Sequence, residues 1–196
     1  MKKTSYKILI ADDHQIFIDG LMMIFADVEF IEVIHVATNG QEVLDIFESN
    51  EIDLAILDVN MPKPNGFELC QIILEKYKST KIMILSMYGD DNFMKEFTRL
   101  GVMAYVLKNA GKHELLEAVK NVLNGEIYIS KDRINENAMT YKVTFEEELT
   151  RVISHGVLHL MGYKDKEEVD IQKMRNAENE SIKLWKDMFH MKPNNK

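Results

Sequence analysis

Cysteine, proline and tryptophan are scarce in this sequence, which has one, three and one of them among 196 residues. The single cysteine, Cys70, excludes an internal disulfide framework and is typical of proteins in the reducing cytoplasm. No apolar run approaches the roughly 18–20 residues that a membrane-spanning helix needs. Acidic residues interrupt the basic N-terminal stretch before a signal-peptide core forms. We therefore expect a cytoplasmic protein with no membrane partner.

Positive charge is deficient in the first two-thirds of the chain. Residues 1–130 contain 12 Lys and Arg against 20 Asp and Glu, whereas residues 131–196 contain 12 of each. The net charge of −8 therefore belongs entirely to the first part. An acidic domain repels phosphate backbones, so this part is a poor candidate for binding nucleic acid.

Short apolar runs and amphipathic stretches alternate over the first 125 residues. Strands that are apolar on both faces, separated by helical patterns, indicate a parallel sheet covered on both sides. We therefore predict an α/β fold, with a five-stranded, doubly wound parallel sheet of the flavodoxin-like kind. The predicted strands are 7–11, 31–37, 54–59, 81–87 and 104–108, and the predicted helices are 16–25, 41–48, 66–77, 92–100 and 113–123.

The pattern changes after this region, and a small, mainly helical C-terminal segment is predicted. Thr144 followed by Glu147 is a capping-box signature that marks the start of one of its helices. We divide the chain into domains at 1–124 and 125–196, with the junction in 125–130. The predicted elements are a short strand at 126–130 and helices at 132–141, 144–161 and 164–185.

Five polar residues stand where the predicted strands end, which is where ligands bind in such sheets. Asp12 and Asp13 follow the first strand, and Asp58, Ser86 and Lys108 end the third, fourth and fifth. An acidic residue after a strand is often only a helix cap, but five such residues at matching ends favour a binding site. Three converging carboxylates favour a hard cation such as Mg²⁺. The lysine and the hydroxyl suit a phosphoryl group.

Four strings at these positions point to a known family. They are ILIADDH, LAILDVNMPKPNGFEL, ILSMYGD and GVMAYVLKNA. Over about residues 5–125 the chain resembles the CheY-like receiver domain of bacterial two-component response regulators. The shorter strings DDH, DVNMP and GxxAYxLK resemble the branch that usually carries a LuxR-type helix-turn-helix.

This resemblance implies a phosphoacceptor switch rather than a true enzyme. It assigns Asp58 as the phosphoacceptor. It implies that Asp12, Asp13, Asp58 and the backbone carbonyl of Asn60 hold Mg²⁺, and that Lys108 pairs with the phosphoryl oxygens. Aspartyl attack on phosphohistidine needs this charge neutralisation and little other covalent machinery.

The resemblance also implies a switch and a set of partners. Ser86 and Tyr105 would be the switch pair, with Ser86 moving to the phosphoryl group and Tyr105 rotating inward. The implied partners are a sensor histidine kinase or another phosphodonor, and a second copy through the receiver. We find no DNA-binding helix-turn-helix after the receiver pattern, so we predict that the usual transcriptional output is absent.

A pair of histidines marks the C-terminal segment, in the string ISHGVLHLMGYKD at 153–165. His155 and His159 are four residues apart on one helix face, so both imidazoles can reach one metal ion. The same spacing fits two partly buried polar residues beside an apolar stripe, and spacing alone favours that interpretation. Gly156 stands where a zincin protease needs glutamate, which argues against that chemistry.

The longer string HGVLHLMGY is similar to the metal-binding signature of the YbeY-type rRNA maturation endoribonucleases, which are zinc-dependent hydrolases. That signature is H-G-x-L-H-L-x-G-Y-D-H, so the resemblance implies that His155 and His159 bind Zn²⁺. The third histidine falls on Asp165, whose carboxylate is an acceptable zinc ligand. The resemblance covers about 125–196, the C-terminal half of that family. Ribosomal RNA or the ribosome would be a partner if this segment is active.

The string GEIYIS at 125–130 matches the end of one pattern and the start of the other. A gene fusion, an in-frame deletion or a sequence-assembly chimera would each leave such a shared string. Our leading hypothesis is a Mg²⁺-dependent receiver joined to a truncated YbeY-like segment. The alternatives are a zinc-dependent endoribonuclease and a non-functional chimera that folds only in its first domain.

Overall fold

The chain forms two compact units, Met1–Ser130 and Lys131–Lys196. A computed structural model describes residues 5–87, 97, 100–163 and 167–190. Among these residues, every helix is too short or too polar to cross a membrane.

The first unit is built on a sheet of five parallel strands in the order β2-β1-β3-β4-β5. This confirms the predicted α/β fold. Because all strands run in one direction, their carboxyl ends lie along one edge of the sheet. The strands are β1 (Tyr6–Ala11), β2 (Ile31–Ala37), β3 (Leu54–Asp58), β4 (Lys81–Ser86) and β5 (Ala104–Leu107).

Helices connect the strands and cover the sheet. Both faces of the sheet carry a buried apolar cluster, because successive strand residues point to opposite sides. Every residue of β3 is buried, which explains its unbroken apolar run. The predicted helix at 92–100 lies outside the described residues except for Phe97 and Leu100. The described helices are α1 (Gln15–Phe25), α2 (Gly40–Ser49), α3 (Gly66–Lys76) and α4 (Lys112–Leu123).

The connection from β3 to α3 is held by a helix cap and a close backbone approach. The Asn65 side chain accepts hydrogen bonds from the backbone of Phe67 and Glu68, each at 3.0 Å, and Glu68 accepts one from the Asn65 backbone at 2.9 Å. A β-carbon on Gly66 would lie 2.3 Å from the Asp58 carbonyl oxygen. Only glycine therefore lets α3 begin this close to the end of β3.

The segment after α4 returns to the edge of the sheet. The predicted strand at 126–130 is reduced to one residue, Tyr128, which forms an isolated parallel bridge with Ala104 of β5. The Tyr128 N–H donates to the Met103 carbonyl at 2.9 Å, and its side chain packs against the apolar cluster on that face. The first unit therefore extends beyond its last helix.

The second unit is helical in its described residues, as predicted. Its helices are α5 (Lys131–Tyr141), α6 (Phe145–Leu160) and α7 (Glu168–His190). The Glu147 N–H donates to the Thr144 side chain at 3.1 Å, so the predicted cap at the start of α6 is present. A salt bridge from Lys186 ties α7 to Glu147 and lowers the pKa of that carboxyl.

We expect Gly66→Ala to lower the unfolding free energy of the first unit by about 1–3 kcal/mol, the usual cost of overpacking. The added methyl group would meet the backbone of Asp58 and Val59, which cannot yield as a flexible side chain does. Urea titration read by hydrogen-exchange mass spectrometry of sheet peptides measures the change. Gly20→Ala is the matched control, because nothing lies within 4 Å of its β-carbon position in α1. It should stabilise the unit by about 0.5–1 kcal/mol, and a wild-type value for Gly66→Ala would contradict the proposed clash.

Candidate functional site

A lysine ammonium lies between two buried carboxylates at the carboxyl edge of the sheet. Lys108 Nζ is 2.5 Å from Asp12 Oδ2 and 3.2 Å from Asp58 Oδ1. The three side chains are only 4%, 2% and 3% exposed. Together with Asp13 they form what we call the acidic pocket. The structure thus brings together four of the five residues predicted from the strand ends.

The position of Lys108 is fixed by its neighbours on two sides. Its backbone N–H donates to the Ser86 carbonyl at 2.8 Å, which aligns the end of β5 with the end of β4. Its ammonium lies 4.8 Å from the centre of the Phe17 ring in α1, within the range of a cation–π contact. Ser86, the fifth predicted residue, is buried at the same edge.

The electrostatic state of Asp58 follows from these contacts. Burial raises the pKa of its carboxyl, because removal from water disfavours the charged form. Lys108 opposes this effect, whereas the negative charges of Asp12 and Asp13 add to it. The single ammonium therefore does not fully compensate the carboxylates around Asp58.

A histidine that the sequence analysis did not assign to the site lies at the mouth of the acidic pocket. His14 Nδ1 is 2.7 Å from Asp13 Oδ1 and 3.3 Å from Asp12 Oδ1, although its side chain is 66% exposed. Its backbone N–H also donates to Asp12 Oδ1 at 3.0 Å. The signal that would have found it is its place directly after the two aspartates.

The chemistry of the acidic pocket fits a divalent cation. The pocket contains three carboxylates and one ammonium, which contacts two of them, and a hard cation would neutralise the remaining negative charge. Ligand atoms of Asp12, Asp13 and His14 all lie within 4.8 Å of one another. At this spacing the three residues could bind the same ion, and two of the three ligand atoms are oxygens.

The remaining receiver residues are Asn60 and Tyr105. Asn60 is exposed, two residues beyond the end of β3. Tyr105 is half-buried in β5, with its ring centre 6.1 Å from that of Phe97. The predicted roles of Asn60 in metal binding and of Ser86 and Tyr105 in switching stay predictions.

The second predicted site is a buried polar network between α6 and α7. His155 is 5% exposed, and its Nδ1 lies 2.7 Å from Oε1 of Glu178, which is 6% exposed. Arg151 Nη1 lies 3.5 Å from the other oxygen of Glu178. The side chain of His159 and the whole of Asp165 lie outside the described residues. The predicted zinc triad therefore stays a prediction.

The network continues to α5 through Glu148. Asn137 Nδ2 donates to Glu148 Oε1 at 3.4 Å, and Arg151 Nε lies 3.8 Å from Glu148 Oε2. Both Asn137 and Glu148 are buried. Sequence reasoning missed these partners, because none of them belongs to the histidine string.

Comparison with known protein families identifies the first unit. Residues 8–120 match the family described as "Response regulator receiver domain". The Transcriptional regulatory protein DegU of Brevibacillus brevis is 32% identical over 129 residues, which are 66% of this chain and 55% of that protein. The Oxygen regulatory protein NreC of Staphylococcus epidermidis strain ATCC 12228 is 30% identical over 174 residues, covering 82% of this chain and 80% of that protein. The chain spans only 55–57% of the length of several relatives that it matches.

Solved structures show the same fold. A LuxR-family two-component response regulator from Aurantimonas sp. SI85-9A1 aligns with a TM-score of 0.64 and 24% identity, covering 70% of this chain and 98% of that one. A DNA-binding response regulator of the LuxR family from Staphylococcus aureus aligns with a TM-score of 0.57 and 24% identity, covering 60% and 98%.

A relative of another kind also matches. The Endoribonuclease YbeY of Flavobacterium psychrophilum is 40% identical over 123 residues, which are 63% of this chain and 83% of that protein. The second unit comprises only residues 131–196, so a match of this length includes residues of the first unit as well.

The predicted absence of a DNA-binding helix-turn-helix is wrong by these comparisons. The matching LuxR-family structure from Staphylococcus aureus is described as DNA-binding, and the NreC match extends over 82% of this chain. The physical reason is that a helix-turn-helix is an arrangement of two helices joined by a turn of three or four residues, which a search for sequence strings does not detect. The three residues 142–144 join α5 to α6, so the segment does not lack such a connection.

We expect Asp58→Asn to raise the unfolding free energy of the first unit by about 1 kcal/mol at pH 7–8 in a chelating buffer, the equivalent of a raised carboxyl pKa of order one unit. Because its pKa is raised, folded Asp58 binds a proton more readily than unfolded Asp58 does. Ionisation therefore opposes folding above the folded-state pKa and has no effect below the unfolded-state pKa. The gain should vanish as the pH falls to about 4. Urea titrations across this range, read by hydrogen exchange of sheet peptides, measure it.

Glu42→Gln is the control for this prediction, because it should change the unfolding free energy in the opposite direction. The Thr38 N–H donates to Glu42 Oε2 at 2.7 Å and lowers the pKa of that carboxyl. Its substitution should therefore reduce stability at neutral pH, with a loss that shrinks on acidification. A loss of stability for Asp58→Asn at neutral pH would contradict the charge imbalance assigned to the acidic pocket.

Proposed function

This chain belongs to the response regulator receiver family of two-component systems, and we propose that it is a phosphoacceptor switch centred on Asp58. The observation that carries the proposal is the shared ion pair of Lys108 with two buried carboxylates, Asp12 and Asp58. The Lys108 ammonium supplies a counter-charge, and the Asp58 carboxylate beside it supplies the oxygen that accepts the phosphoryl group. The arrangement suits transfer of a phosphoryl group to a carboxylate.

Asp58 is the nucleophile in this proposal. One of its carboxylate oxygens bonds to phosphorus as the P–N or P–O bond to the donor breaks, and the leaving group keeps that bonding pair. Lys108 is already within 3.2 Å of Asp58, so its ammonium can follow the negative charge onto the new phosphoryl oxygens. Burial excludes competing water from the attacking oxygen and strengthens these charge interactions.

The cation for this site would be Mg²⁺, held by Asp12, Asp13, Asp58 and the backbone carbonyl of Asn60. Bound there, Mg²⁺ supplies charge neutralisation at the phosphoryl oxygens. The protein contributes the fixed positions of the carboxylates, because β1 and β3 are neighbours in the sheet. Asp12 and Asp58 thus stand side by side at the carboxyl edge of the sheet.

Ser86 and Tyr105 are proposed to transmit the modification. Ser86 ends β4 at the edge of the acidic pocket, and its carbonyl is bonded to the Lys108 backbone. Tyr105 precedes Lys108 by three residues in the neighbouring strand and is half-buried. A hydroxyl that moves toward the phosphoryl group would open space in which this ring can turn inward, giving two discrete surface states.

We expect acetyl phosphate with Mg²⁺ to add the mass of one phosphoryl group to the wild-type chain. Asp58→Asn should abolish the gain, because the attacking oxygen is lost, and a chelator should do the same. Intact-protein mass spectrometry measures it. Asp19→Asn, which changes an exposed carboxylate of α1, should keep the full gain. A phosphoryl gain that persists in Asp58→Asn would refute the proposed acceptor.

A second candidate function concerns the second unit, for which we propose a YbeY-like zinc-dependent endoribonuclease segment that processes rRNA. Two observations favour it: the similarity to the Flavobacterium psychrophilum YbeY and the bond between His155 and Glu178. Metal-ligating histidines commonly bond one ring nitrogen to a carboxylate, which fixes the ring for ligation by the other nitrogen. His155, His159 and Asp165 would hold Zn²⁺, which supplies an activated water for hydrolysis.

We expect elemental analysis of the purified full chain to find about one zinc per molecule if this segment is a zinc site. The double variant His155→Ala/His159→Ala should lose the metal, because two ligands are removed. His113→Ala is the control, since that histidine is 97% exposed at the start of α4 and belongs to neither site. Circular dichroism should confirm that each variant keeps its helices. Absence of zinc in the wild type, or its retention in the double variant, would rule out this site.

A further inference from the structure

We propose that His14 is a ligand that sets the metal preference of the acidic pocket, supplying an imidazole nitrogen beside the oxygens of Asp12 and Asp13. The inference rests on the cation site of the proposed function and deepens it. An all-oxygen site suits Mg²⁺, whereas imidazole is a ligand of transition-metal ions, so one nitrogen in the site raises the affinity for these ions relative to Mg²⁺.

The two oxygens of Asp12 divide the pocket into two sides. Oδ2 lies 2.5 Å from the Lys108 ammonium, whereas Oδ1 faces His14, whose Nδ1 is 3.3 Å away. Oδ1 of Asp13 lies on this second side too, 2.7 Å from the same nitrogen. A cation repelled by the ammonium would therefore bind on the side where His14 is found.

The two distances from His14 Nδ1 are close to the spacing of neighbouring ligands in an octahedral shell. An ion with ligands at about 2.1 Å places neighbouring ligand atoms about 3 Å apart and opposite ones about 4.2 Å apart. The two distances from His14 Nδ1, 2.7 and 3.3 Å, lie on either side of the first value. The whole set falls within 4.8 Å. An ion at this position would replace the His14 contacts, and Nδ1 would release to solvent the proton that it shares with the carboxylates.

The backbone of His14 is anchored while its ring remains accessible. Its N–H donates to Asp12 Oδ1 at 3.0 Å, and its carbonyl accepts from the backbone of Phe17 and Ile18 at the start of α1. The side chain is 66% exposed, so an entering ion can exchange water for the imidazole without opening the core. A pre-positioned ligand with a small ordering cost raises affinity for the ions that suit it.

The test uses Mn²⁺ as the probe with the full chain. Electron spin-echo envelope modulation should show ¹⁴N coupling from a directly bound imidazole in the wild type. It should be absent in His14→Gln, whose amide oxygen can still contact the ion. The ratio of Mn²⁺ to Mg²⁺ affinity should fall about tenfold in that variant, since one nitrogen ligand is lost. His113→Gln, at a fully solvated site, should behave like the wild type.

Asp13→Asn identifies the site that the probe occupies. If Mn²⁺ binding is lost in Asp13→Asn but the wild type shows no ¹⁴N coupling, the proposed role of His14 is wrong. Coupling that persists in His14→Gln would do so as well, because the nitrogen would then come from another histidine. Neither result affects phosphoryl gain at Asp58, which is measured separately by mass. A chain that binds no Mn²⁺ at all would overturn both this inference and the proposed cation site.

Discussion

The contact of Lys108 with Asp12 and Asp58 is the interaction on which the acidic pocket depends. β5 is separated from β3 by β4, so the two strands are about 10 Å apart in the sheet. Only a long side chain can bring a charge across that gap. The backbone bond to Ser86 and the ring of Phe17 direct the lysine inward, where it counters two carboxylates that would otherwise repel each other. The charge balance of the acidic pocket therefore depends on the order of the strands and on the single Lys108 ammonium.

The sequence predicted this site because each strand and its end can be recognised from a short stretch of residues. Apolar runs predict strands, parallel strands align their ends, and the residues at those ends then converge whatever their distance in sequence. The predicted ends of β1 to β5 differ from the observed ones by at most one residue. Four of the five predicted positions could therefore be placed in the acidic pocket without knowledge of side-chain geometry.

The features that escaped prediction depend on how side chains meet in three dimensions. His14 was visible in the sequence, but its contact with both aspartates is set by the turn into α1. Glu178 is 23 residues from His155 on another helix, and no spacing rule connects them. The wrong exclusion of a helix-turn-helix has a similar origin, because the motif is an arrangement of helices rather than a sequence string.

The buried polar groups are arranged differently in the two units. In the first unit, buried charges gather at one edge of an apolar sheet. In the second, the buried side chains of Asn137, Glu148 and Glu178, together with the partly buried Arg151, connect the three helices through polar contacts. Such networks specify packing when every member is satisfied, and they make packing sensitive to the loss of any member.

The bridge at Tyr128 has a consequence for association. β5 is an edge strand, and an open edge invites pairing with another chain. One residue beyond α4 blocks part of it, and that residue lies outside the stretch 8–120 that matches the receiver family. A fragment cut to the family boundary would keep the whole acidic pocket and yet expose a strand edge that the intact chain covers. Self-association of such a fragment would then reflect the cut rather than the signalling state.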